Sequence, residues 1–130
     1  MTDTNMQCTA PSRPSFREAI SRAERQIGWR EISTRDKVLA HEICAIIAEV
    51  YMMAPDKPIR ISGEWLDGFM VQEVFREVTM EHAEAVIEEF GRVTENIVNK
   101  KAYLRTMIYN SVFSLDAHYT NRVNHDMKGE

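Results

Sequence analysis

Apolar side chains recur every three or four positions along most of this chain, the period of an amphipathic α-helix. The first such run is Phe16, Ala19, Ile20, Ala23 and Ile27. Ser15 and Glu18 form a Ser-x-x-Glu capping box at its start, and Gly28 is a natural stop. Trp29 and Ile32 are placed to pack across the corner that follows. The second run has a broad apolar face of Val38, Leu39, Ile43, Ile46, Ile47, Val50 and Tyr51, with Ala40, Cys44, Ala45 and Ala48 keeping the other sides small. Such a helix belongs inside the fold. Ser33–Ala54, opened by Ser33 with Asp36 and stopped by Pro55, is therefore expected to be the central helix.

Ile59 and Ile61 alternate with Arg60, an extended pattern too short for a sheet of its own. Trp65, Leu66, Phe69, Met70, Val74, Phe75 and Val78 then read as a third helix, irregular around Gly68. Thr79 caps a fourth, with His82 where a capping box has Glu or Gln. Ala83, Val86, Ile87 and Phe90 form its stripe, Glu81, Glu84, Glu88 and Glu89 its opposite face, and Gly91 its end. Asn99 caps the next helix, which carries Ala102, Tyr103, Leu104, Met107 and Ile108 on one side and Lys100, Lys101 and Arg105 on the other. A last helix is expected after Ser114, with Leu115, His118, Tyr119, Arg122 and Val123. The pattern predicts an all-α fold, one bundle of five or six helices with at most a short extended segment near 59–61. The expected division is a disordered lead or linker over 1–14, a helical domain over 15–127 and a frayed tail over 128–130.

Composition narrows the function classes. Apolar residues are 44% and charged residues 28%, ordinary for a soluble domain, and 5 Gly with 4 Pro leave little room for a many-turned β fold. The net charge of -4 excludes polyanion binding by bulk charge, so any nucleic-acid contact needs a local basic patch. The 2 Cys, one in an apolar helix and one in a polar tail, fit a reducing cytoplasm. No run approaches the ~18 apolar residues of a membrane span.

The candidate chemistry is sparse. His118 and His125 stand two turns apart, a poor spacing for one metal ion. Cys44, set among isoleucines, reads as core rather than nucleophile. There is no phosphate-binding Gly-rich loop and no nucleophile elbow. No active site and no cofactor are expected. The start of the Asn99 helix is unusual, because its dipole favours anions where Lys100 and Lys101 stand. Free amides beside cations suit a bound phosphate, and the bland alternative is a buried helix with solvated lysines. Tyr103, Tyr109, Tyr119 and Phe113 interleave with Lys100, Lys101, Arg105 and Arg122, a pattern that holds single-stranded nucleic acid or simply fills a core. Lys57 and Arg60 form a second small basic spot.

These residues also carry a likeness. Ile59-Arg-Ile-Ser-Gly63, Val74-Phe75, Thr79-Met-Glu-His82, Asn99-Lys-Lys-Ala-Tyr-Leu104, Ile108-Tyr-Asn110, His118-Tyr119 and Val123-Asn-His-Asp-Met127 together resemble the C-terminal domain of RepA-type replication initiators of plasmids and integrated mobile elements from Gram-positive gut bacteria. The match covers a little over half of the chain, and its most specific parts are the Asn-x-Lys-Ala-Tyr-Leu run and the Val-Asn-His-Asp-Met end. The resemblance implies a DnaD-like helical module that helps to load helicase and primase. That module has a Tyr-x-x-x-Ile-x-x-Trp signature tied to DNA binding, and Tyr103, Met107 and Asn110 stand at its positions here. Asn110 replaces the Trp, which leaves contact with a replication protein as the firmer expectation. No winged-helix origin-binding segment is found, so an excised domain or a short relative is expected.

The expected function is a non-catalytic initiator accessory domain in the cytoplasm. It would contact a host primase or helicase loader, with single-stranded or non-specific DNA as a second ligand, and no membrane. The residues expected to do so are Lys100, Lys101, Tyr103, Arg105, Tyr109, Arg122, Lys57 and Arg60. The alternative is a self-associating helical module, a homo-oligomer with no nucleic-acid role.

Overall fold

The computed structural model of the protein describes residues 14–93 and 95–128, with side chains as far as residue 115. Five α-helices and one small hairpin follow in order: α1 (Phe16–Ile27), α2 (Lys37–Met52), β1 (Ile59–Ile61), β2 (Glu64–Leu66), α3 (Gly68–Arg76), α4 (Met80–Gly91) and α5 (Lys100–Lys128). The fold is all-α apart from the hairpin. Among the described residues no helix is long and apolar enough to cross a membrane.

The helix starts obey local chemistry. Ser15 Oγ accepts the Glu18 N–H at 3.2 Å, and Glu18 Oε1 accepts the Ser15 N–H at 3.1 Å. At α4, His82 Nδ1 takes the place of a Glu carboxylate and accepts the Thr79 N–H at 3.0 Å. At α5, Asn99 Oδ1 accepts the Ala102 N–H at 3.0 Å. The central helix differs from expectation at its entry. Thr34–Asp36 form a 3-10 turn, Ser33 makes no side-chain cap, and α-helical bonding begins at Lys37.

Helix α2 is the centre of the core. It touches α1, α3, α4 and α5 and buries Ala40, Ile43, Cys44, Ile46, Ile47, Ala48, Val50 and Tyr51. Its small residues let neighbours approach closely, as the sequence implied. Val38, assigned to the apolar face by spacing, is 74% exposed, because it shares the outer side of the helix with His41 and Glu42, three and four residues on. Two glutamines close helix ends inside the fold. Gln72 Nε2 donates to Val50 O at 2.9 Å and Met53 O at 3.0 Å, at the end of α2. Gln26 Nε2 donates to Phe75 O in the last turn of α3 and to Val78 O just past its end, both at 2.7 Å, and its Oε1 accepts the Tyr51 hydroxyl.

Two expectations are corrected. Glu64–Leu66 is not the start of a helix but a second strand, paired antiparallel with Ile59–Ile61 so that Arg60 faces Trp65. The turn is Ser62-Gly63, with φ of 54° and 82°. Such left-handed pairs match the twist of a two-residue hairpin. The hairpin survives, though two strands alone are marginal, because Ile59 and Ile61 are buried against the bundle. The segment after Ser114 is not a separate helix either, since α5 runs unbroken from Lys100 to Lys128. Ser114 is compatible with a helix interior when nothing else ends the helix.

Two predictions follow from this packing. A Cβ on Gly68 would lie 2.2 Å from Lys57 O and 2.8 Å from Pro55 O, both backbone atoms. Gly68→Ala should therefore destabilise by about 1–3 kcal/mol in a urea melt, where an exposed site would show a gain. The Cys44 thiol is fully buried, and burial, aided by the Glu24 carboxylate, pushes it up to about 12. The neutral thiol is favoured by folding, so this stability is present below the unfolded thiol range and is lost as pH rises toward the folded value. In a Cys8→Ser background, the urea midpoint should fall between about pH 8 and pH 11, and Cys44→Ala should remove part of that fall. An identical fall in both proteins would contradict a buried thiol.

Candidate functional site

The start of α5 faces two ways. On one side it crosses a half-buried stripe of α2 formed by Glu42, Ala45 and Glu49. Lys100 Nζ lies 3.0 Å from Glu42 Oε1, and Lys101 Nζ lies 2.8 Å from Glu49 Oε2. The glutamates are two turns apart on α2, and the adjacent lysines splay to reach them over Ala45 and Ile46, with buried Leu104 between. The open cationic ridge expected on this helix is thus divided. The lysines are drawn to carboxylates, because Leu104 must reach α2 and carries its flanking residues with it. Lys100 Nζ also lies 5.5 Å from the Phe90 ring centre, and Phe90 meets Tyr103 edge-on at 6.2 Å.

The other side of α5 faces the hairpin. The Ser62 N–H donates to Thr106 Oγ1 at 3.0 Å, which pins the turn to the helix. Arg105 Nη1 donates to the Arg60 carbonyl at a long 3.4 Å. Arg105 Nε is buried and has no hydrogen-bond partner among the described residues. The Arg60 guanidinium stands 5.4 Å over the Trp65 ring, on the exposed face of the hairpin. Between hairpin, α5 and the 95–99 connection lies an open groove of about 690 Å³. Arg60, Arg105, Tyr103, Met107 and Asn110 line it, together with the carboxylates of Glu89 and Glu95.

Of the residues singled out from sequence, the groove brings together Arg60, Tyr103 and Arg105. Lys100 and Lys101 belong to the α2 crossing. Lys57 is exposed in the turn after α2, and neither it nor Tyr109 lines the groove. Half-buried Tyr109 instead packs on Phe113, at 5.3 Å between ring centres. The Arg122 side chain, like those of His118, Tyr119 and His125, lies outside the described residues. Sequence reading missed Ser62, Thr106, Glu89 and Glu95 as parts of one site. The signal for the first was Ser-Gly between Ile-Arg-Ile and Glu-Trp-Leu, the spacing of a two-residue hairpin. Among the described residues no group of three or more His, Cys, Asp or Glu could hold a metal ion.

The fold and groove define a small helical domain built on one buried helix, with an open groove along its last helix. The chain belongs to a family of unknown function, DUF6017, whose model matches residues 6–130. Comparison with curated proteins and with solved structures gave no match in either case.

The lysine contacts are half-exposed ion pairs, each worth no more than about 1 kcal/mol. Lys101→Glu should cost about that much in a thermal melt, and the charge swap Lys101→Glu with Glu49→Lys should recover it. Lack of recovery would show that Lys101 does not act through Glu49.

Proposed function

We propose that the protein is a non-catalytic accessory domain of a replication initiator from a plasmid or integrated mobile element. It works in the cytoplasm and contacts a host replication protein, a primase or helicase loader, through the groove along α5. One observation carries this reading. Tyr103, Met107 and Asn110, the positions that align with the DnaD-like signature, line a single groove beside Arg60 and Arg105. Their spacing of four and three residues puts them on one stripe of the helix.

The groove's chemistry supports binding rather than catalysis. Glu89 and Glu95 are exposed to water, whereas acid–base work needs an enclosed carboxylate. Free, buried Cys44 is compatible with a reducing compartment. A second reading, weak binding of single-stranded DNA, draws on Arg60 held over exposed Trp65 and on Arg105 nearby. The loss of Lys100 and Lys101 to glutamates weakens it.

Calorimetric titration of the chain against the primase, helicase and helicase loader of a Gram-positive host tests the proposal. One of them should bind with a Kd on the order of 1 μM, weakened about tenfold by Asn110→Arg. A gel shift with a single-stranded oligonucleotide tests the second reading, and any DNA affinity should drop steeply with salt. Failure of every protein and of the oligonucleotide at low salt removes the replication role.

A further inference from the structure

The groove does not stop at Asn110. A second hollow of about 680 Å³ continues between α4 and α5 as far as Leu115, and the two share Glu89, Met107 and Asn110 as common walls. From Asn99 to Leu115 the helix rises about 24 Å at ~1.5 Å per residue. An extended peptide of about seven residues covers that length at ~3.3 Å each.

Charge along this trough is uneven: Arg60 and Arg105 outnumber Glu95 at the hairpin end, and Glu88 and Glu89 outnumber Arg92 toward the other. At the hairpin end stand Arg60 and Arg105, whose buried Nε has no partner and whose Nη1 makes only the 3.4 Å contact with a carbonyl. Planar guanidinium groups favour a carboxylate, which accepts two parallel hydrogen bonds. The middle is floored by half-buried Met107. Glu89 stands beside it at the junction of the two hollows, and the far end carries Glu88, paired with Arg92 at 3.0 Å. A nucleic-acid strand brings a phosphate at every nucleotide, so a phosphate next to the one on the arginines would face Glu89 or Glu95. A peptide brings charge only where its sequence puts it.

We infer that the trough takes a peptide segment of the order acidic, apolar, basic, with its carboxylate at Arg60 and Arg105, its apolar side chain on Met107 and its cation toward Glu88 and Glu89. The inference rests on the reading of this groove as the docking face, but it is independent of which protein owns the segment. Arg60 positions its charge ahead of binding through the Trp65 ring, and such stacking restricts a flexible side chain before a ligand arrives.

Selection of random peptides of about twelve residues on the full chain by phage display, followed by fluorescence polarisation with labelled synthetic copies, tests this. Enriched sequences should hold Asp or Glu separated from Lys or Arg by an apolar residue. Arg60→Glu and Glu89→Arg, both at exposed positions, should each weaken them about tenfold. Circular dichroism melts confirm that the variants fold, and Arg60→Gln serves if Arg60→Glu does not. An oligothymidine should not displace the peptide at physiological salt. Enriched peptides without an acidic residue, or indifferent to Arg60→Gln, overturn the inference, as does failure to enrich any. Displacement by the oligothymidine makes nucleic acid the occupant. Peptides that behave as expected while no replication protein binds would sink the initiator reading and leave this one standing.

Discussion

The fold depends on burying one helix on nearly every side. A helix buried this way cannot hand its last carbonyls to water, and an unsatisfied buried carbonyl costs on the order of 1–3 kcal/mol. Gln72 meets that need for α2 by donating to Val50 O and Met53 O. Gln26 does the same at the end of α3 and just past it, while holding the hydroxyl of Tyr51 from α2. These two amides join α1, α2, α3 and the connection before α4 into one unit. Burial raises the Tyr51 hydroxyl above its ordinary value, so the tyrosine is kept neutral and able to donate.

α2 also carries a half-buried stripe of Glu42, Ala45 and Glu49. The start of α5 crosses it. Leu104, Ile108 and Val112 supply the burial that holds α5 to the bundle. The ion pairs of Lys100 and Lys101 are too exposed to add much energy, and they follow from the packing of Leu104 on α2. With α5 so placed, Arg105 and Thr106 turn toward the hairpin and Tyr103, Met107 and Asn110 toward the groove. The contact with α2 on one face of α5 thereby fixes which residues line the groove on the other.

What could be read from the sequence was what neighbouring residues settle among themselves. The Ser15 and Asn99 caps and the stop at Gly28 are interactions within one turn. The central place of α2 was legible because its small and apolar residues leave almost no polar side. Partners distant in sequence were not legible. Nothing near Lys101 announces Glu49, and Gln26 and Gln72 look like surface residues until the carbonyls beside them are known. The hairpin was obscured because Trp65, Leu66 and Phe69 also fit a helical period, and only Ser62-Gly63 argues otherwise. In the candidate site, the Tyr103 stripe was visible. The carboxylates that set its charge distribution come from α4 and the connection after it.

The hairpin and the groove are mechanically one object. Two three-residue strands are too few to be stable alone. Buried Ile59 and Ile61, the Thr106 hydroxyl and the Arg105 guanidinium hold them, and the last two are groove walls. A ligand that draws Arg105 away loosens its contact with the Arg60 carbonyl, while one that engages Arg60 and Arg105 together ties strand to helix more firmly. Binding and hairpin order are then linked by mass action: whatever binds only the closed arrangement stabilises it. The long Arg105 contact fits such a site, since a cation held strongly by its own fold has little left to offer a partner.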